Sequence, residues 1–264
     1  MGSIFLTWEL IKESCRVLVG DSKLIVFPSL SILAFVLIDG WGLLTFGKQL
    51  RGSGRGIPTD LQLLIFMFYW VNYFIVLFFN SALMACAYLR ISGEDPSLGA
   101  GLRTAWVNVG RIFLWSFVAA TVGFVLQLLE QHSVLRRFAA SLLELAWSLG
   151  TFFIVPVLIL EDWDVFGSLK RSAELFRGQW GTEVAGNFSF GVLYFLLSLP
   201  AIVVGTLCIK LAPILCALAV VGYFMLLYVI MTAVQGIFIV ALHRYATGKT
   251  DGGFDSALLK DAFS

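Results

Sequence analysis

Residues 211–242 read LAPILCALAVVGYFMLLYVIMTAVQGIFIVAL, without one Asp, Glu, Lys or Arg. A helix crossing a bilayer core of about 30 Å needs about 20 apolar residues. This stretch exceeds that length, and a soluble core has no use for so long an uncharged run. The chain is therefore expected to be all-α and integral to a membrane. Composition agrees: 59% of residues are apolar and only 13% charged, where soluble domains have roughly half and a quarter.

Five further stretches pass the same test, at 24–46, 61–89, 112–129, 138–160 and 184–209. Only Lys210 and Pro213 mark a turn before the last of the six. The reading is six spanning helices in three hairpins, forming a single transmembrane domain over 1–264. The 112–129 segment is barely long enough, while 61–89 and 211–242 have room to tilt. Orientation follows from basic residues near span ends. Lys12, Arg16, Lys23, Arg90, Arg103, Arg111, Lys170, Arg171, Arg177, Arg244, Lys249 and Lys260 share one side. Lys48, Arg51, Arg55, Arg136, Arg137 and Lys210 share the other. The richer side is expected to be cytoplasmic, placing both termini inside a bacterial inner membrane, Ser53 outside and Ser92 inside. Glu9, Lys12 and Glu13 interrupt any signal-peptide core, so the N-terminal segment is expected to be retained. Leu6 stands where a myristoylation start needs Ser or Thr.

The cytoplasmic segments carry their own pattern. Phe5, Trp8, Ile11, Cys15 and Leu18 recur at helical spacing, as do Leu98, Leu102, Trp106 and Val109, then Phe166, Leu169, Ala173 and Leu175. Amphipathic helices are expected at 3–19, 97–109 and 163–179, and a short one at 254–263. Ser14-Cys15, Thr104-Ala105 and Ser172-Ala173 stand the same distance before Gly20, Gly110 and Gly178, each followed by a hairpin. This suggests three repeat units, 1–92, 93–161 and 162–250, about an axis along the membrane normal. A glycine ending a helix is also the ordinary C-cap, which would produce the same alignment without repetition. Such helices lie at the headgroup boundary, where Trp8, Trp106, Trp163 and Trp180 fit, or else cap the inner mouth of the bundle.

Several blocks resemble a known family. They are Phe79-Asn80-Ser81-Ala82-Leu83, the loop and helix 93–102 (GEDPSLGAGL), residues 146–158 (AWSLGTFFIVPVL) with Glu161, and residues 169–175 (LKRSAEL) with Trp180-Gly181. Together they resemble a bacterial multi-pass membrane family known only as domain of unknown function 6159. The layout is also similar, in architecture alone, to the membrane domain attached to some bacterial glycerophosphodiester phosphodiesterases. Neither resemblance implies an activity here.

Candidate site residues come from polar groups inside the spans, because burying them in hydrocarbon is costly. Asp39, Glu144 and Gln127 would lie in the outer half, around an outward-facing polar cavity. Otherwise Asp39 is interfacial, and Glu144 is protonated, reaches the surface or pairs with Arg136, Arg137 or Lys210. Asn80, Thr151, Asn187 and Gln235 would lie in the inner half, as ligand contacts or as hydrogen-bonding glue between helices. Pro28, Pro156 and Pro200 interrupt spans, the last two as candidate hinges. Ser97 or Asp95 is expected to cap the next helix with Pro96 in its first turn, and the acids of Glu161-Asp162-Trp163-Asp164 to favour a helix N-terminus.

Other chemistries find no support. The net charge is +1, with no basic stripe for nucleic acid. The four cysteines and two histidines form no ligand spacing, so no metal or other cofactor is expected. Cys208 and Cys216 flank an external turn and are expected to be free, buried thiols. His132 and His243 fall at opposite faces, and no nucleophile motif occurs. The chain is thus expected to be non-enzymatic, handling lipids or organising the membrane. The alternative is a transporter or channel with its cavity around Glu144. Expected partners are membrane lipids, a small-molecule or ion ligand, and further copies of the chain.

Overall fold

A computed structural model describes the backbone of residues 2–52, 59–130, 134–208 and 212–248. Within these, the side chains of 2–7, 46, 48–52, 59–61, 128–130, 134–138, 178–189 and 207 lie outside the description. Among the described residues all regular structure is helical, with no strand. They form α1 (Gly2–Gly20), α2 (Val26–Gly52), α3 (Thr59–Ile91), α4 (Leu98–Val107), α5 (Val109–Glu130), α6 (Val134–Gly150), α7 (Ile154–Leu160), α8 (Val165–Cys208) and α9 (Pro213–Ala246). A 3-10 turn, Ser22–Ile25, joins α1 to α2.

Five helical stretches are long and apolar enough to cross a membrane by length and composition: Ser22–Thr45, Gln62–Ile91, Val109–Gln127, Ala139–Leu160 and Pro213–Ala246. A shorter apolar stretch, Phe190–Thr206, lies in α8. Lipid offers the backbone no hydrogen bonds, so a spanning segment must satisfy its own N–H and C=O groups, as a helix does. The outward faces are apolar to match. Leu37, Leu44, Ile214 and Leu218 are each more than 60% exposed. In water such a surface would drive association; in a bilayer it meets acyl chains. The chain is a multi-pass membrane protein.

Polar contacts gather one end of the bundle. Lys23, before α2, lies 3.5 Å from Asp95, after α3. Arg111, opening α5, lies 2.6 Å from Asp162, after α7. Arg244, near the end of α9, donates to Ser92 Oγ and sits 5.0 Å above the Tyr88 ring. The buried core is concentrated towards this end: Leu10, Phe27, Leu83, Ile112, Leu158 and Leu242 are all almost fully enclosed. Residues 33–45 of α2, 141–146 of α6 and 213–226 of α9 are mostly exposed. Among the described residues the bundle is packed most closely at the α1 end.

Several local features bear on the expected pattern. The stripe of α1 packs on α8 and α9, with Leu10, Ile11, Ser14 and Leu18 buried and Trp8 exposed; of the two placements expected for it, α1 takes the one against the bundle. The segment 163–179 is not a separate helix. It runs through Gly178 into α8, which is 44 residues long. Among the three aligned glycines only Gly20 ends a helix; Gly110 lies in the first turn of α5, after the C-cap Asn108. The expected helix at 254–263 lies outside the described residues. Ser97 is the cap of α4, accepting from the Ala100 amide, so Pro96 precedes the cap and does not enter the first turn.

Close packing at this end relies on two glycines. A Cβ on Gly101 of α4 would stand 2.5 Å from Cys86 Sγ and 2.6 Å from the Ala82 carbonyl oxygen. A Cβ on Gly236 of α9 would stand 2.6 Å from Leu83 Cδ2 of α3. Gly101 lets α4 approach the α3 backbone, and Gly236 leaves room for the Leu83 side chain of α3.

Candidate functional site

The fourth apolar segment is broken in its interior. The α6 helix ends at Gly150, residues 151–153 form a turn, and α7 begins at Ile154. Pro156 supplies the cause, since it has no N–H for the Phe152 carbonyl and its ring crowds that residue. As the third residue of α7 it sits where the N–H would have no partner within the helix. The loose ends are tied locally. The Phe152 amide donates to the Leu149 carbonyl at 3.3 Å, and the Phe153 amide donates to Ser172 Oγ of α8 at 3.1 Å. Of the two expected hinges, Pro156 marks a true break, whereas α8 continues through Pro200.

A cavity of about 220 Å³ lies against this break. Its polar wall is Tyr73 and Asn80 from α3, Thr151 from the turn, and Thr232 and Gln235 from α9, with Trp115 of α5 behind them. Trp115 stacks on Trp147, ring centres 5.5 Å apart. Thr151 Oγ1 donates to the Trp147 carbonyl at 2.8 Å, which leaves its lone pairs to accept. The fold thus brings together three of the four inner polar residues expected from sequence: Asn80, Thr151 and Gln235. The side chain of Asn187 lies outside the described residues. Thr232, one helical turn before Gln235, was legible by spacing but overlooked. Tyr73 and Trp115 gave no signal among the many aromatic residues.

A second cavity, about 450 Å³, is an apolar groove bounded by α2, α3 and α9. Ile32, Phe35 and Val36 form one side, Val76 the floor, and Val221, Phe224, Met225 and Tyr228 the other side. Phe35 and Val221 are both half exposed, so the groove opens laterally. The two cavities share one face of α9. Val221, Met225 and Tyr228 line the groove, and Thr232, Gln235 and Ile239 line the polar cavity. These positions step by three and four residues, the spacing of a single helical stripe.

The outer polar residues do not converge on either cavity. Glu144 is exposed on α6 and Gln127 is exposed on α5. Asp39 is half-buried and accepts from Asn72 Nδ2 of α3 at 2.9 Å, joining α2 to α3. Cys208 and Cys216 are free thiols, half-buried where full burial was expected. Among the described residues, no three His, Cys, Asp or Glu side chains gather as a metal site would require.

A charged network missed by sequence reading sits at the α1 end. Glu161 Oε1 lies 2.9 Å from His243 Nε2 of α9. Glu161 Oε2 accepts from Arg171 Nε of α8 at 3.1 Å and from Trp163 Nε1 at 3.0 Å. The His243 contact above all, with Arg171 and Trp163, holds the Glu161 carboxyl down to about 2 against the opposing effect of burial. Glu161 therefore acts less as a helix-start acid than as an ionised clamp joining α7, α8 and α9.

No curated protein and no solved structure matches the chain. The model of a family described as a family of unknown function, DUF6159, matches residues 60–254. That span runs from the first turn of α3 past the end of α9 and includes every residue of the polar cavity. The chain belongs to this family.

Proposed function

We propose that this protein is a non-enzymatic membrane protein of six spans that holds a lipid-like amphiphile, chain in the groove and polar end in the cavity. The observation that carries this reading is the shared face of α9, apolar at Val221–Tyr228 and polar at Thr232–Gln235. From Val221 to Gln235 the helix rises about 21 Å at 1.5 Å per residue. That is somewhat more than the ~15 Å of hydrocarbon in one leaflet, a suitable length for one acyl chain and its polar end. The groove opens sideways, where lipid enters without crossing water. Among the described residues the polar wall has no Cys, His, Lys, Asp or Glu to serve as base or nucleophile, which supports the non-enzymatic reading.

The test is native mass spectrometry of protein purified in mild detergent. Wild type should carry co-purifying lipid. Met225→Trp, which fills the groove, should lose most of it while the protein stays folded. Equal lipid on both would sink the reading. The transport alternative draws on the broken segment at a polar cavity, a feature of transporter cores. It needs Glu144 to govern occupancy, so loss of bound ligand in Glu144→Gln would favour it. Because Glu144 is exposed and lines neither cavity, that variant is expected to keep its lipid.

In the same reading the α1 end faces the cytoplasm, by the Lys and Arg asymmetry. Cysteine labelling of intact cells should reach Ser53→Cys and spare Arg103→Cys, an exposed position on α4. Arg103 replaces Ser92 as the inner probe because Ser92 Oγ is engaged by Arg244. Labelling at position 103 alone would invert the orientation.

A further inference from the structure

The polar cavity also limits the chemistry of what it accepts. Among the described residues its wall contains no carboxylate, ammonium, guanidinium or imidazole. Along α9 the nearest such group beyond Gln235 is His243, about 12 Å further at 1.5 Å per residue, and it is paired with Glu161. Arg111 and Arg171, at the same end, are paired with Asp162 and Glu161. An ionised phosphate in the cavity would leave water without meeting a counter-charge, which costs several kcal/mol even after relaxation. Phosphate recognition ordinarily uses Arg or Lys, and none of the described residues of this wall is either.

What the wall does offer is a mixed set of neutral donors and acceptors. The Asn80 and Gln235 amides each present two N–H donors and a carbonyl oxygen. Thr232 and Tyr73 hydroxyls both donate and accept, and Thr151 Oγ1 has lone pairs left to accept. This set matches a hydroxyl, ester or amide, each of which needs hydrogen bonds but no counter-charge. A volume of about 220 Å³ far exceeds the roughly 10–15 Å³ that one water requires. There is room for a glycerol-sized group.

We infer that the amphiphile's polar end carries no ionised group, so the ligand class is neutral lipid alcohols and esters, diacylglycerols among them. This rests on the amphiphile reading above and narrows it.

The test offers purified protein an equimolar mixture of dioleoylglycerol and dioleoylphosphatidate in mild detergent, read by native mass spectrometry. The two probes share their chains and differ by the phosphate. Wild type is expected to retain the diacylglycerol about tenfold or more over phosphatidate, a difference of about 1.4 kcal/mol. Gln235→Leu should abolish that preference. Thr232→Val, which keeps the side-chain shape, should weaken it and serves if the Leu variant fails to fold. Retention of phosphatidate equal to or above the diacylglycerol overturns the inference and leaves the amphiphile reading standing. A preference that survives both substitutions overturns the assignment to this cavity. Retention of neither probe, in wild type and in Met225→Trp alike, overturns the amphiphile reading itself.

Discussion

Gly101→Ala should severely destabilise the α1 end of the bundle. The new methyl would meet Cys86 Sγ at 2.5 Å, the Ala82 carbonyl oxygen at 2.6 Å and Phe27 Cζ at 3.1 Å. The sulfur can move, but the Ala82 oxygen belongs to the α3 backbone and cannot move without displacing the helix. Ala82, Cys86 and Phe27 are themselves almost fully buried, so α4 has to lift away. Overpacking of this kind costs about 1–3 kcal/mol and sometimes more. In an exposed helix the same change would instead stabilise by about 1 kcal/mol through propensity. The sign of the effect therefore tests the packing. A melting temperature in detergent at or above wild type would show that α4 does not rest on α3 as described.

Glu161→Gln should produce the second large loss. The carboxylate serves three partners on two helices and a loop, and its side chain is 15% exposed. Glutamine has one acceptor oxygen and no charge, so Arg171 or His243 loses its counterpart. Charge-assisted hydrogen bonds of this kind contribute about 1.5–3 kcal/mol each. The expected loss is on the order of 3 kcal/mol, since removing one member of an enclosed pair leaves the other unpaired. The pH dependence has a definite sign. A carboxyl held at about 2 in the fold, against an ordinary value of 4.5, stabilises fully above pH 4.5 and progressively less as pH falls towards 2. The difference in melting temperature between wild type and Glu161→Gln should therefore narrow as pH falls below about 4.5 towards 2. A difference that widens in acid would mean that Glu161 is not the ionised partner.

The membrane class of the protein was legible in residues 211–242 and in the other apolar runs. Hydropathy over some 20 residues is a local property, and the hydrocarbon sets its length scale from outside the chain. The cap at Ser97 and the end of α1 at Gly20 were equally local. Helical spacing also placed Asn80, Thr151 and Gln235 at comparable depth, before any contact was known. Convergence was another matter. Whether three polar residues on three segments face one point depends on how α3, the α6–α7 break and α9 rotate against each other. Gly236 leaves room for Leu83 of α3, and Pro156, lacking an N–H, lies at the break between α6 and α7. The stripe of α1 announced that it would be covered, but hydropathy treats protein and lipid alike as apolar, so it could not choose between the headgroup boundary and the bundle. Gly178 looked like a helix end; the packing of Ser172, Leu175 and Phe176 outweighs the roughly 1 kcal/mol that an interior glycine costs. Glu161 and His243 stand 82 positions apart, a distance over which no periodicity carries information. Sequence alone determined which segments leave water, because that depends on each segment's own transfer energy. Tertiary structure decided which polar groups meet, because that depends on the pairing of segments.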